Sequence, residues 1–172
     1  MRDGWGFGTE SPLMARKKDE GKDATAEGRM DEAMLHDLVG YQLAQAQIAT
    51  LAVFYGSVGR PLELRHVEYT VLALIKENPA CTPARLAKEL AVTAGNITMW
   101  VDRLVERELV RREASESDRR VQHLYVTAKG ETLVTAATRQ LLDGERKRLI
   151  ALSPAERAIL VELLHKVATC RD

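Results

Sequence analysis

The spacing of apolar residues along the chain predicts a series of helices that two strands interrupt. From Asp31 to Val58, apolar side chains recur three and four residues apart, which is the period of one helix face. Gly56 and Gly59, followed by Pro61, are expected to end this first helix. A second helix is predicted over residues 65–77, and its inner face is almost entirely apolar. It should end before Pro79, because the residue preceding a proline is disfavoured in a helix.

The next segment predicts two short helices joined by a tight turn. Thr82 supplies a capping hydroxyl and Pro83 a first-turn proline, which together mark a helix start. Thr93 is placed to cap a following helix over residues 94–108. Because only a few residues separate the two helices, this arrangement is typical of a helix-turn-helix.

After residue 108 the apolar period changes from about 3.6 to 2, which indicates strands. Residues 109–113 and 121–127 are predicted to form a β-hairpin around a polar loop at 114–120. Thr127 then caps a long helix to about Leu149, and Ser153 with Glu156 forms a capping box for the last helix. The predicted fold is mainly α (α+β), a winged helix-turn-helix flanked by long helices, with the hairpin as the wing.

Composition places the chain among ordinary globular domains and excludes several classes. It has 172 residues, of which 45% are hydrophobic and 29% charged, and its formal charge is zero. Two distant cysteines exclude a disulfide framework and a Cys-rich zinc site. No apolar run reaches the roughly 18 residues of a membrane span, and no secretory apolar region is visible near the N-terminus. We therefore expect a cytoplasmic protein.

The chain divides by composition into a tail, residues 1–30, and a domain, residues 31–172. The tail holds five of the eleven glycines, and its charges balance without any apolar period. Such a segment buries too little apolar area to offset chain entropy, so we expect it to be disordered.

Three stretches in register resemble the MarR-type bacterial transcriptional regulators. They are the run 101–112 (VDRLVERELVRR), then Asp118-Arg119-Arg120, then the run 124–130 (LYVTAKG). The resemblance covers roughly Asp31 to Ala168. One departure is Glu108, where the family often has glycine, so the helix before it is expected to end less sharply. In this scheme residues 62–130 are the DNA-binding region, and residues 31–58 and 131–170 are dimerisation helices.

The predicted recognition helix presents small polar residues at its N-terminus, which suit base edges and phosphates in a major groove. Asn96 is the residue best suited to an adenine edge. Alternatively, Thr93 and Asn96 only satisfy the hydrogen bonds of the first helical turn. Trp100 is expected to pack in the domain. The predicted DNA contacts in this helix are Thr93, Gly95, Asn96, Thr98, Met99 and Arg103.

Arginines at the predicted wing tip suit the negative potential of an adjacent minor groove. The candidates are Arg119 and Arg120, and the resemblance implies that Arg120 is the inserted one. It also implies that Asp118 braces the wing by pairing with Arg103. Alternatively, the loop is a solvated charged turn. Between Arg103 and Lys129 seven basic residues face only five acidic ones, so affinity should depend on geometry and dimerisation more than on bulk charge.

The long terminal helices are too apolar for so small a core, so we predict that they interlock in a homodimer on an inverted repeat. The resemblance implies a pocket between the dimerisation helices and the winged helix, often for small aromatic carboxylates or phenols. It would be lined here by Tyr41, Gln45, Arg65, His66 and Tyr69. Each of these residues also fits a plain role as a core aromatic or a surface group. Cys81 and Cys170 are interpreted as structural or incidental. We predict a repressor that the ligand releases from double-stranded DNA.

The sequence offers no catalytic group set. Its four histidines include no metal-binding pair spaced by four, and no phosphate loop or nucleophile elbow is present. Asp118 and His123 lie on a hairpin too exposed for a catalytic triad. We therefore predict no enzyme, no cofactor and no metal. The alternative function is a winged helix used only for protein interaction, which would not need the wing arginines.

Overall fold

The predicted order of helices and strands is present in the computed structural model, which describes residues 24–115, 117–118 and 120–170. Its elements are α1 (Val39–Phe54) with a π-helical turn (Tyr55–Gly59), α2 (His66–Glu77), α3 (Pro83–Glu89), α4 (Ala94–Glu106), β1 (Val110–Ala114), β2 (Gln122–Val126), α5 (Ala128–Arg148) and α6 (Pro154–Thr169). This mainly helical fold with one two-stranded antiparallel sheet confirms the predicted fold class.

The described residues divide into two compact units, with the boundary between Ala46 and Gln47. In the first, Ala24 and Asp31 form a small antiparallel bridge. Further along, the Tyr41 hydroxyl donates a 2.7 Å hydrogen bond to Glu32 Oε2, and this bond raises the pKa of Tyr41. Of the predicted disordered tail, residues 1–23 lie outside the described residues. The second unit contains the whole helix-turn-helix and hairpin.

The first helix differs from its prediction at both ends. It begins at Val39 instead of residue 31, because the preceding segment forms turns. There, Asp31 Oδ1 accepts the backbone N–H of Ala33 at 3.0 Å, a local bond that competes with helix formation. At the other end the two glycines do not stop the helix at once. The chain passes into the π-helical turn Tyr55–Gly59, whose hydrogen-bonded turn contains one more residue than an α-helical turn.

The predicted starts of α3, α4, α5 and α6 are confirmed by their caps. The side-chain oxygens of Thr82, Thr93, Thr127 and Ser153 each accept the backbone N–H three residues later. Glu156 completes the capping box of α6, and the hydrogen bonds from Ser153 lower the pKa of its carboxyl group. Each cap satisfies an amide that the first helical turn leaves without a partner.

The hairpin is fixed to the helical core along one side. β1 and β2 pair antiparallel from Val110 opposite Val126 to Ala114 opposite Gln122. On its outer side β2 pairs with the segment before α3, where Leu124 N donates to Cys81 O at 2.9 Å. Cys81 is buried, and this burial raises the pKa of its thiol, which suits a structural role.

A single apolar core holds α2, α3, α4 and the hairpin together. It includes the predicted inner faces of α2 and α4 and the buried side of β2. Its fully buried members include Val71, Leu72, Ile75, Ile97, Val101, Leu104, Leu109 and Leu124. Trp100 is partly buried against this core, which confirms its predicted packing role. The recognition helix α4 is therefore fixed in position by this core along its buried face.

Helix α4 ends sharply, contrary to the expectation from Glu108. Leu109 N donates to Leu104 O at 2.9 Å and Glu108 N donates to Val105 O at 2.8 Å, the bond pair of a Schellman motif. Glu108 takes the left-handed conformation that this motif requires, with φ of 59°. Burial of Leu104 and Leu109 stabilises the motif without a glycine.

This left-handed Glu108 predicts a measurable cost in stability. We expect the free energy of unfolding of Glu108→Gly, measured by urea denaturation, to exceed that of Glu108→Ala by about 1 kcal/mol. The reason is that a residue with a Cβ is strained in the left-handed conformation and glycine is not. Both variants lack the exposed ion pair with Lys129 at 3.0 Å, so their difference isolates the backbone effect. Equal stabilities would contradict a left-handed conformation at residue 108 in the folded protein.

Candidate nucleic-acid interface and ligand cavity

The N-terminal end of α4 presents an exposed face of small and polar side chains. Ile97 is fully buried beneath it and fixes its orientation. The residues exposed on this face are Thr93, Ala94, Gly95, Asn96, Thr98 and Met99. Thr93 caps the helix, and the Thr98 hydroxyl donates to Ala94 O at 3.0 Å, so both hydroxyls already make local bonds. Such a face can approach a groove closely because, apart from the exposed Met99, its side chains are short.

The wing root is attached to the recognition helix by a pair that the sequence analysis missed. Arg112 Nη2 on β1 donates to Asp102 Oδ1 on α4 at 2.6 Å. Next to it, the Arg111 guanidinium lies 4.5 Å from the centroid of the Tyr125 ring on β2. Asp102 and Arg112 both lie in the run 101–112, but nothing in their spacing signals a contact between a helix and a strand.

The structure corrects the predicted pairing of Asp118 with Arg103. Asp118 Oδ1 accepts the backbone N–H of Arg120 at 2.9 Å and so closes the wing-tip turn locally. Arg103 Nε instead lies 3.2 Å from Glu68 Oε1 on α2. The carboxylate of Glu68 is buried, and a buried charge needs an opposite charge nearby. That requirement explains why Arg103 faces α2.

Glu68 also serves the start of its own helix, since its Oε2 accepts the backbone N–H of Arg65 at 3.0 Å. Its Oε1 is close to Arg103, but no N–H points at it along a hydrogen-bond direction. The contact is therefore an ion pair more than a directed hydrogen bond. Arg65, predicted to bind a ligand, lies here with Nε 4.0 Å from Glu68 Oε1.

Most basic residues around the wing are engaged within the protein. Arg107 donates to the carbonyl oxygens of Leu62 and Glu63 at 2.9 and 2.8 Å. Arg103, Arg111, Arg112 and Lys129 each pair with a carboxylate. Among the described basic residues from 103 to 129, only the side chain of Arg120 has neither an ion pair nor a hydrogen bond with another described residue. The other wing-tip candidate, Arg119, lies outside the described residues.

The second unit contains a cavity of about 380 Å³ beside α2. Two of the predicted ligand residues, His66 and Tyr69, line it together, and Phe54 contacts both rings from one side at 5.1 and 6.0 Å between centroids. Its lining residues are Thr50, Phe54, His66, Tyr69, Thr138, Leu141, Leu142 and Glu145. Of the remaining predicted ligand residues, Arg65 is not part of this lining, and Tyr41 and Gln45 belong to the first unit. Thr138 and Glu145 were missed because they lie about seventy residues further along the chain.

A helix-turn-helix with a braced, arginine-tipped hairpin defines a winged-helix DNA-binding domain. Residues 64–121 match the MarR family. The HTH-type transcriptional regulator YpoP of Bacillus subtilis (strain 168) is 32% identical over 105 residues, which cover 61% of this chain and 74% of YpoP. The chain belongs to the MarR family and is a DNA-binding transcriptional regulator.

Two solved structures have the same fold. One is the transcriptional repressor CouR bound to a 23-mer DNA duplex, with 28% identity, a TM-score of 0.74 and coverage of 81% of this chain and 98% of that one. The other is BpsR of Bordetella bronchiseptica, described as regulated in its DNA binding by 6-hydroxynicotinic acid. It has 25% identity, a TM-score of 0.70 and coverage of 80% and 97%.

Proposed function

We propose that this protein is a homodimeric repressor that binds an inverted repeat and is released by a small aromatic ligand. The observation that carries the dimer is the state of α6, none of whose residues is buried. Its apolar side chains, 39 to 63% exposed, are Ile159, Leu160, Val161, Leu163, Leu164 and Val167. No described helix is both long and apolar enough to cross a membrane. A second copy of the chain is the cover that best explains this face.

Dimerisation also supplies the sequence specificity that one winged helix lacks. A single recognition helix and wing contact too few base pairs to select one site in a genome. Two copies related by a two-fold axis read two half-sites whose centres lie about 34 Å, or one helical turn, apart. In this proposal Asn96 and the small residues around it enter the major groove. Arg120 enters the neighbouring minor groove.

The cavity and the described relatives support two parts of the proposal: that the ligand is a small aromatic molecule, and that DNA binding represses transcription. CouR is described as a repressor, and BpsR as a protein whose DNA binding a small aromatic acid regulates. The cavity beside α2 has an aromatic lining and a volume in the usual range for small-molecule sites. Because α2 also carries Glu68, which pairs with Arg103 on the recognition helix, a shift of α2 would reach the DNA-binding face directly.

The proposal is tested by DNA selection with the purified protein, together with sedimentation to measure its mass. We expect a dimer that enriches an inverted repeat with half-sites about ten base pairs apart, and whose binding represses transcription from a promoter carrying that repeat. Leu164→Lys should weaken the dimer by at least about tenfold, because it places a charge in the apolar face. Glu162→Gln, on the same helix at an exposed position, changes the net charge equally and should leave the dimer intact. A monomeric wild type, or a Leu164→Lys variant that dimerises normally, would disprove this interface.

A further inference from the structure

The hydroxyl groups around the cavity beside α2 have no proton left for a ligand. Thr138 donates its hydroxyl proton to Val134 O at 2.8 Å. Its 2.9 Å bond to Tyr69 must therefore use the proton of Tyr69, which leaves Tyr69 with lone pairs only. Thr50 likewise donates to Gln47 O at 3.2 Å. All three hydroxyl oxygens can accept a hydrogen bond from a ligand, and none can donate one.

The charged groups in the cavity lining also favour a ligand that donates hydrogen bonds. Glu145 is half-buried, and an ionised carboxylate only accepts hydrogen bonds. No lysine or arginine is among the residues that line this cavity. The nearest predicted candidate, Arg65, lies instead at the start of α2 beside Glu68. His66 is the one lining group that can donate, and its ring packs edge-on against Phe54.

The remaining surface of the cavity is apolar and suits a flat ring. Phe54 is 3% exposed and meets His66 and Tyr69 at large angles between the ring planes. Leu141 and Leu142 on α5 complete the lining. An aromatic ring in this space would carry its polar substituents toward the oxygens of Thr50, Tyr69 and Glu145.

From this inventory we infer that the ligand is an uncharged aromatic molecule bearing hydrogen-bond donors, such as a phenol with an amide or a second hydroxyl. The inference rests on the proposed ligand-released function and specifies its ligand. An aromatic carboxylate is rejected, because its oxygens would meet acceptors and the charge of Glu145 without a guanidinium to pair with. This separates the chain from BpsR, which an aromatic acid regulates.

The inference is tested by calorimetric titration of the intact protein with pairs of isosteric probes. The pairs are 6-hydroxynicotinamide with 6-hydroxynicotinate, and 4-hydroxybenzamide with 4-hydroxybenzoate. In each pair we expect the amide to bind at least about tenfold more tightly. Glu145→Gln should reduce this preference by about fivefold or more, since it removes the negative charge and supplies a donor. Glu131→Gln, which makes the same charge change in the first turn of α5, should leave the preference unchanged.

The possible failures are distinguishable. Equal or tighter binding of the carboxylates would overturn the inference but leave a ligand-released repressor in place. A preference that Glu145→Gln does not alter would overturn the role of this carboxylate. If no probe binds at millimolar concentration while the protein still binds its operator as a dimer, both the inference and the cavity as a ligand site are wrong.

Discussion

Arg120→Ala is expected to weaken operator binding by about tenfold or more while the dimer stays intact. The side chain lies at the tip of a hairpin whose root is fixed to the recognition helix through Asp102 and Arg112. It makes no ion pair or hydrogen bond within the described part of the protein. Its guanidinium is therefore available for DNA at little cost, and the effect of removing it from each subunit adds up across the dimer.

The measurement is operator affinity by fluorescence anisotropy at several salt concentrations. For every phosphate that the variant no longer neutralises, the slope of log K against log salt should fall by about 0.9. Arg120→Lys keeps the charge but lacks the flat guanidinium, so it should retain part of the affinity. Arg139→Ala is the matched control, because this exposed arginine lies about 14 Å along α5 from Gly130. Equal affinities for the wild type and Arg120→Ala would remove the wing from the DNA interface.

Those parts of the fold that depend on local signals were predictable from sequence. Thr82, Thr93 and Thr127 mark helix starts because a hydroxyl three residues before an amide can cap it wherever the helix later packs. The change from a helical to a strand period identified the hairpin, because this change is also visible within a short stretch of sequence. Both signals arise within a few neighbouring residues, so tertiary packing did not override them.

Contacts between distant elements were not predictable. Glu68 reads in sequence as an acidic residue in the first turn of a helix, yet it is 1% exposed and pairs with Arg103. The cavity lining joins Thr50, His66 and Glu145, which come from three helices and carry no common spacing. The π-helical turn at Tyr55–Gly59 also has no local signature, because glycines there favour a helix end as much as a widened turn.

Gly130 is the position at which packing leaves least room for substitution. A Cβ there would overlap the Leu109 carbonyl oxygen and lie 2.9 Å from Val126 Cγ1. The Leu109 carbonyl is fixed, because it accepts the backbone N–H of Thr127 at 3.1 Å. The start of α5 therefore packs directly on the backbone between the recognition helix and the wing. This contact gives a physical reason for the glycine that ends the run 124–130, one of the three stretches on which the family resemblance was based.

We expect Gly130→Ala to lower the free energy of unfolding by about 2–3 kcal/mol, since the overlap forces backbone to move. The matched control is Gly95→Ala in the first turn of α4, where an added Cβ meets no atom within 4 Å. That variant should gain up to about 1 kcal/mol from helix propensity. Urea denaturation at one protein concentration measures both, because dimer stability depends on concentration. If the two variants were equally stable, the close approach of α5 to Leu109 could not be what requires glycine at this position.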